Sequence, residues 1–279
     1  MDKPGALEFI LCADDYGLSP GVSQGILEAV HKGRLSAVGS MMNRPGMSEM
    51  AQDLRAYRET VDLGVHLVLT DLPALSPEIG RFPSIGALTR RAYMGRLPAE
   101  ALRKEIGLQL EAFTRHFDKA PEFVDGHHHV HHLPGVRDIV LDVLGEKFPG
   151  EKPALRCCWE DLPTLWRRGV AVGKAALIGF PGRAFAKLAR GRGFHTNAGF
   201  SGVYDFSGRT PYETLFERFT WNMKPNSLLM CHPGRVDREL VGLDSLTDQR
   251  ERELEFFLSD RFPAMLADKR LALGRFPRP

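Results

Sequence analysis

Cysteine is scarce in this 279-residue chain, and the four present make no disulfide framework. Cys12 and Cys231 sit inside apolar runs, where they read as buried small hydrophobes. Cys157 and Cys158 are adjacent and form no Cys-x-x-Cys pair, so no chemistry is assigned to them. An excess of one charge is missing too. With 37 Lys and Arg against 35 Asp and Glu the net charge is +2, which points to neither nucleic acid nor an anionic membrane as the main partner. The basic groups at Arg167-Arg168 and from Arg183 to Arg192 are expected to form a solvated helix face. No apolar run approaches the roughly 20 residues of a membrane span. The first residues, Met1 to Gly5, carry no signal-peptide pattern, so a cytoplasmic location is the expectation. There is no internal repeat, no low-complexity segment and no Gly-rich phosphate loop opening a helix.

What the chain does have is alternation. Short apolar runs at 9–13, 37–42, 63–69, 123–125, 154–158, 194–196, 228–231 and, weakly, 271–273 read as strands. Amphipathic patterns at 22–32, 99–117, 136–148, 211–223 and 248–258 read as helices between them. Ser19-Pro20 is a good start signal for the first helix, and Gly33 a good stop. About eight strand–helix units predict an α/β fold, an irregular TIM-like (β/α) barrel, with a doubly wound open sheet as the competing architecture. Residues 70–97, rich in Pro and Gly, read as an excursion beside the site. The basic and apolar stretch 169–193 has no clear place in this scheme.

Chemistry concentrates where apolar runs end. Asp125-Gly126-His127-His128-His129-Val130-His131-His132 places Asp125, His127, His129 and His131 at one parity, so an extended backbone would turn them to one side. The first strand delivers Asp14-Asp15, two carboxylates that repel unless a cation or a shared proton relieves them. His66 lies among large apolar residues, where an imidazole needs partners. Another apolar run delivers His232-Pro233-Gly234. In a barrel the C-terminal strand ends converge, so Asp14, Asp15, His66, His127 and His232 are expected to meet. Two histidines and a carboxylate leave coordination positions open, as catalytic metal sites do, while a spare carboxylate and a spare histidine remain as base and acid. That inventory fits metal-assisted hydrolysis.

Four motifs carry a resemblance. They are Ala13-Asp14-Asp15-Tyr16-Gly17-Leu18-Ser19-Pro20-Gly21, Gly64-Val65-His66-Leu67, Asp125 through His131, and Cys231-His232-Pro233-Gly234. Together with Thr196-Asn197-Ala198-Gly199-Phe200 and Val203-Tyr204-Asp205-Phe206, they resemble the YdjC-like carbohydrate deacetylase family, which includes chitooligosaccharide deacetylases and a hopanoid-associated branch. The resemblance implies one domain across 1–279 and a metal-dependent hydrolase removing the N-acetyl group of an acetylated amino sugar or oligosaccharide. It implies one divalent metal ion, described as magnesium, held by Asp15, His66 and His127, with Asp14 as catalytic base. The His, His, Asp set suits zinc, manganese or cobalt equally. His232 is the candidate acid for the leaving amine. Asp125, His129, Arg156 and Asn197 are candidates for supporting the ligands or touching substrate, and Trp159, Phe200 and Tyr204 for stacking on sugar rings or packing in the core.

Two alternatives stay open: another metallohydrolase such as a phosphoesterase, and a non-catalytic metal-binding protein using the His run. The partner is expected to be a small N-acetylated saccharide. A chitobiose-like oligosaccharide, a peptidoglycan fragment and a lipid-linked glucosamine all fit. A homodimer, the commonest closed assembly, is compatible with the chain.

Overall fold

The longest strand, β1 (Leu7–Tyr16), organises the molecule. From Phe9 to Ala13 it pairs in parallel with β7 (Ser227–Cys231), and from Cys12 onward with β2 (Ala37–Ser40). From Phe9 on its residues are buried on both faces, which explains why 9–13 is continuously apolar instead of alternating. The sheet continues through β3 (Asp62–Leu67), β4 (Phe123–Gly126) and β5 (Ala154–Leu155), while β6 (Phe200–Ser201) flanks β7 and β8 (Leu271–Leu273) pairs with the start of β1. All these pairings are parallel. The strands curl into a half-barrel surrounded by helices, a single α/β domain of TIM-like form. The computed structural model describes residues 5–277; residues 1–4, part of the N-terminal stretch read above for a leader, lie outside them.

Several helices follow the sequence pattern closely. α1 (Pro20–His31) starts where Ser19 accepts a hydrogen bond from the Val22 amide, with Pro20 in the first turn. It stops before Gly33, whose φ of 65° is left-handed. Then come α2 (Met47–Arg55), α3 (Ile85–Tyr93), α4 (Ala99–Phe117) and α5 (Val136–Lys147). α3 lies inside the expected excursion, whose only strand-like feature among the described residues is a bridge between Pro73 and Arg81.

The second half departs more from expectation. The run at 154–158 gives only two strand residues, because Arg156 turns inward to pair with buried carboxylates. Residues 194–196 form no strand; Thr196 makes a single bridge to Leu155, and the sixth strand is Phe200–Ser201, hidden from pattern reading by Gly199 and Gly202. The unplaced 169–193 stretch is mostly one helix. α6 (Leu162–Arg168) ends at Gly169 in the left-handed region, and α7 (Val172–Gly191) follows. Arg168 is no member of a solvated face. It is buried, donates to the Phe200 carbonyl at 3.0 Å and pairs with Glu160 at 3.2 Å. α8 (Tyr212–Phe219), α9 (Arg238–Leu243), α10 (Asp248–Leu258) and α11 (Arg261–Asp268) complete the shell.

Gly202 is a point where no other residue fits. Its φ is 106°, and a Cβ there would lie 2.1 Å from the Met230 carbonyl oxygen on β7. Gly202→Ala should therefore destabilise the fold by at least about 2 kcal/mol in urea titration. A change within about 0.5 kcal/mol of the parent would contradict this packing.

Candidate active site

β1 does something unusual at its end. Consecutive strand residues normally point to opposite faces, yet Asp14 and Asp15 both line the same cavity. The register against β2 shifts between Ala13 and Tyr16, and Asp15 takes a left-handed φ of 69°. This bulge re-aims the second carboxylate to the side of the first.

β3 and β4 supply the next pair by register alone. His66 and Asp125 are direct cross-strand partners, and His66 Nδ1 lies 2.7 Å from Asp125 Oδ1. With Nδ1–H donating to that carboxylate, Nε2 is left facing Asp15 Oδ1 at 3.3 Å. Gly39 on β2 makes room for the ring, since a Cβ there would be 3.3 Å from the His66 Cβ. His127 follows directly after β4 and brings Nδ1 to 3.1 Å from the same Asp15 oxygen. Asp15, His66 and His127 thus converge, with one ligand atom from each within 4.8 Å of the others.

The rest of the His run does not stay extended. His128 and His129 adopt left-handed φ values of 54° and 57°, and His127–His132 coils into a 3-10 turn. The expected single-sided array of Asp125, His127, His129 and His131 is therefore not formed. His128 turns to Thr70 Oγ1 at 2.9 Å, and His129 sits 3.4 Å from Cys158 Sγ at the cavity wall. His131 and His132 go beneath the site, both placing Nε2 on the Arg156 carbonyl, at 3.0 and 3.2 Å.

Two fully buried arginines hold the carboxylates. Arg156 clasps Asp14 with both terminal nitrogens, the Nη1–Oδ2 contact being 2.6 Å, and reaches Asp125 Oδ2 at 2.6 Å. Arg250 from α10 joins Asp15 to Asp244, at 2.7 Å each. Burial alone would raise the Asp14 pKa. Arg156, with His66 and His232 nearby, outweighs it and lowers Asp14 to about 2. Asp15 is held well below the carboxylate range against the same burial, by Arg250 and His127. For His66, burial pulls downward but Asp125 and Asp14 push it up to about 10.

His232, just after β7, lies in the same cavity. Burial drives its pKa down to about 4 despite Asp15 and Asp14, so its ring is neutral at pH 7. Its backbone amide donates to Glu253 Oε2 at 2.6 Å, and Tyr204 donates to the other Glu253 oxygen at 2.5 Å. The cavity measures about 380 Å³ and is bordered by Ile85, Lys174, Ile178, Val203, Phe206 and Leu246, a size within the usual small-molecule range. Ile85 of α3, from within 70–97, lies on the cavity wall. Asn197 is elsewhere. Its amide is used entirely by the backbone of Cys157 and Gly199. Tyr204 and Phe200 are buried in the packing.

Do these residues fit a divalent cation? Four carboxylates, Asp14, Asp15, Asp125 and Asp244, share two guanidiniums; with His66 protonated one negative charge remains over in the cluster, and two remain once its Nε2 lone pair is given to a cation. Asp15 Oδ1 and His66 Nε2 are both electron-pair donors, and face each other closely unless a proton or a metal lies between. Donor chemistry and charge both fit.

Arg250, Glu253 and Asp244 escaped the sequence reading. The signal was available in part: Arg250 and Glu253 occupy the inward stripe of α10 together with Leu254 and Phe257, all buried, and charges on a core-facing stripe need partners.

A family model described as YdjC-like protein matches residues 8–268. The chain belongs to the YdjC-like family. Among its relatives, a carbohydrate deacetylase from Geobacillus stearothermophilus is 36% identical over 271 residues, covering 95% of this chain and 94% of its own. A chitooligosaccharide deacetylase from Yersinia pestis (strain Pestoides F) is 33% identical over 276 residues, covering 96% and 97%. One from Klebsiella pneumoniae (strain 342) is 28% identical over 274 residues, covering 96% and 97%. Among solved structures, a protein from Enterococcus faecalis V583 named for cellobiose-phosphate cleavage superposes with a TM-score of 0.76 at 20% identity, over 97% of this chain and 98% of that one. The Bc1960 peptidoglycan N-acetylglucosamine deacetylase gives 0.50 at 13% identity, over 99% and 89%. These structural likenesses bear on the fold.

Glu253 yields a pH prediction. Burial raises its pKa from 4.5 to about 7, against its hydrogen bonds from Tyr204 and His232. The folded state therefore binds this proton more tightly than the unfolded chain. The associated stability is full below about pH 4.5 and is lost as pH rises through about 7, by up to about 3 kcal/mol. Glu253→Gln should flatten the fall in stability between those limits, read as the difference between wild type and variant in urea titrations across pH. Parallel profiles would show that Glu253 does not titrate in that window.

Proposed function

We propose that the protein is a metal-dependent carbohydrate deacetylase that hydrolyses the N-acetyl group of an amino sugar. One observation carries the reading: Asp15, His66 and His127 converge beside an Arg-clamped Asp14 and a neutral His232 on one cavity. The names of the relatives support the same chemistry.

Asp15, His66 and His127 would hold the cation, with His66 oriented by Asp125 and Asp15 by Arg250. A divalent ion supplies Lewis acidity there, lowering the pKa of water and polarising a carbonyl. The donor set admits zinc, manganese or cobalt as well as the magnesium implied by resemblance. Asp14 is the base. Arg156 keeps it ionised and fixes its oxygens, so it accepts the proton of the attacking water without reorienting. His232, neutral when free, takes up the released proton and passes it to the departing nitrogen. The balance closes: water gives its hydroxyl to the acyl carbon and its proton to the amine, and the acetic acid formed passes its own proton to the amine, yielding acetate and the ammonium form of the amino sugar.

Acetate release should be measured on chitobiose-like, peptidoglycan-derived and lipid-linked N-acetylated substrates, with and without chelator. Chelation should abolish it and divalent metal restore it. Asp14→Asn should keep its metal and lose about 10²–10⁴-fold in turnover, whereas His66→Ala should lose the metal itself. An Asp14→Asn variant working at the parental rate would remove the base assignment. Phosphate release from sugar phosphates, with no acetate from any substrate, would replace the deacetylase by a phosphoesterase.

A further inference from the structure

α7 packs Gly179, Gly182 and Phe185 inward and leaves two large apolar residues outside. Gly179 and Gly182 form its close contacts: a Cβ on Gly179 would be 2.9 Å from the Cys158 carbonyl oxygen, and one on Gly182 3.2 Å from the Trp159 amide. The opposite side cannot be reached by the core. There Leu177 and Phe180 are each 77% exposed. Helical spacing puts them in one stripe with Lys174 a turn before and Lys187 two turns beyond. The neighbouring α6 adds Trp166, 71% exposed.

The charge around this stripe is one-sided. From 162 to 204 the sequence carries seven Lys or Arg and no Asp or Glu; Arg168 is buried against Glu160, Arg192 pairs with Asp142 and Lys174 donates to the Tyr204 carbonyl, which leaves Arg167, Arg183, Lys187 and Arg190 without a carboxylate partner from this stretch. Exposed Leu, Phe and Trp amid basic side chains with no acid is the composition of a helix that lies on an anionic bilayer. A second copy of this chain is a poorer occupant, since pairing like faces would oppose basic side chains at close range.

We infer that the outer face of α6 and α7 docks the protein on an anionic lipid bilayer. Leu177, Phe180 and Trp166 enter the headgroup region, and the basic side chains meet lipid phosphates. Lys174 and Ile178, from the same helix, line the catalytic cavity, so the contact lies beside its mouth. This goes beyond the deacetylase reading, and its primary readout needs no turnover.

The test is co-sedimentation of the full chain with vesicles of phosphatidylcholine alone or with about one-third phosphatidylglycerol, at low and high salt. Binding is expected on the anionic vesicles, weakened by salt. The double variant Leu177→Ser/Phe180→Ser should bind about tenfold or more weakly, and Lys187→Glu roughly fivefold or more weakly. All these side chains are exposed, so the variants should keep the wild-type melting temperature and any acetate release from soluble saccharides. Absence of binding to anionic vesicles at low salt overturns the proposal. So does binding that salt abolishes but the double variant leaves unchanged, which would mean a soluble polyanion site. A wild-type dimer that the double variant converts to monomer, with no vesicle binding, would reassign the face to self-association. Vesicle binding without acetate release from any substrate would leave this surface standing and remove the deacetylase reading instead.

Discussion

The site depends on a single guanidinium. Arg156 is fully buried, joins Asp14 to Asp125, and through Asp125 fixes the ring of His66. Burying an ion costs several kcal/mol, so such a group persists only where its partners are held as firmly as itself. The carbonyl of the same residue accepts from two imidazoles, His131 and His132. Backbone and side chain of Arg156 are therefore both anchored, and the carboxylate it clasps cannot swing away from the cavity. Replacing it would leave Asp14 without its cation and Asp125 with His66 alone, a loss of the 3–5 kcal/mol class typical for breaking a buried pair, about what a marginally stable domain can spare.

Much of this is legible in the sequence. The apolar runs leading to Asp14-Asp15, His66, Asp125 and His232 became parallel strands, and parallel strands bring their ends together, so residues far apart in sequence met. The helices 99–117 and 248–258 have the bounds that their periodicity gave. Failures came where a tertiary contact overrode the local pattern. Arg156 ended the fifth strand by turning inward. His128 and His129, which look like the continuation of a strand, accept left-handed backbone so that His127 stays at the site while His131 and His132 descend beneath Arg156. Asn197, legible only as part of a motif, serves backbone amides and carbonyls.

Arginine partners were the hardest to foresee. A carboxylate at a strand end advertises chemistry, but the guanidinium that tunes it arrives from a helix some 235 residues away, as Arg250 does for Asp15. Nothing local marks that meeting except a charge on a stripe otherwise turned to the core. The stretch 169–193 has no clear amphipathic stripe because α7 turns two glycines inward beside Phe185 and leaves Leu177 and Phe180 outside.

The irregularity between Ala13 and Tyr16 has a consequence for how such a chain can vary. Because two neighbouring residues face one way only through that extra step in the backbone, the number of residues there matters as much as their identity. Deleting one would restore simple alternation and send one of the two carboxylates to the far side of the sheet, with every side chain still chemically intact. Long surface loops tolerate a change in count far more easily, since each doubling of loop length costs only about 0.6 kcal/mol. Length variation should accumulate there while the turn after β1 keeps its length even where the amino acids around it change.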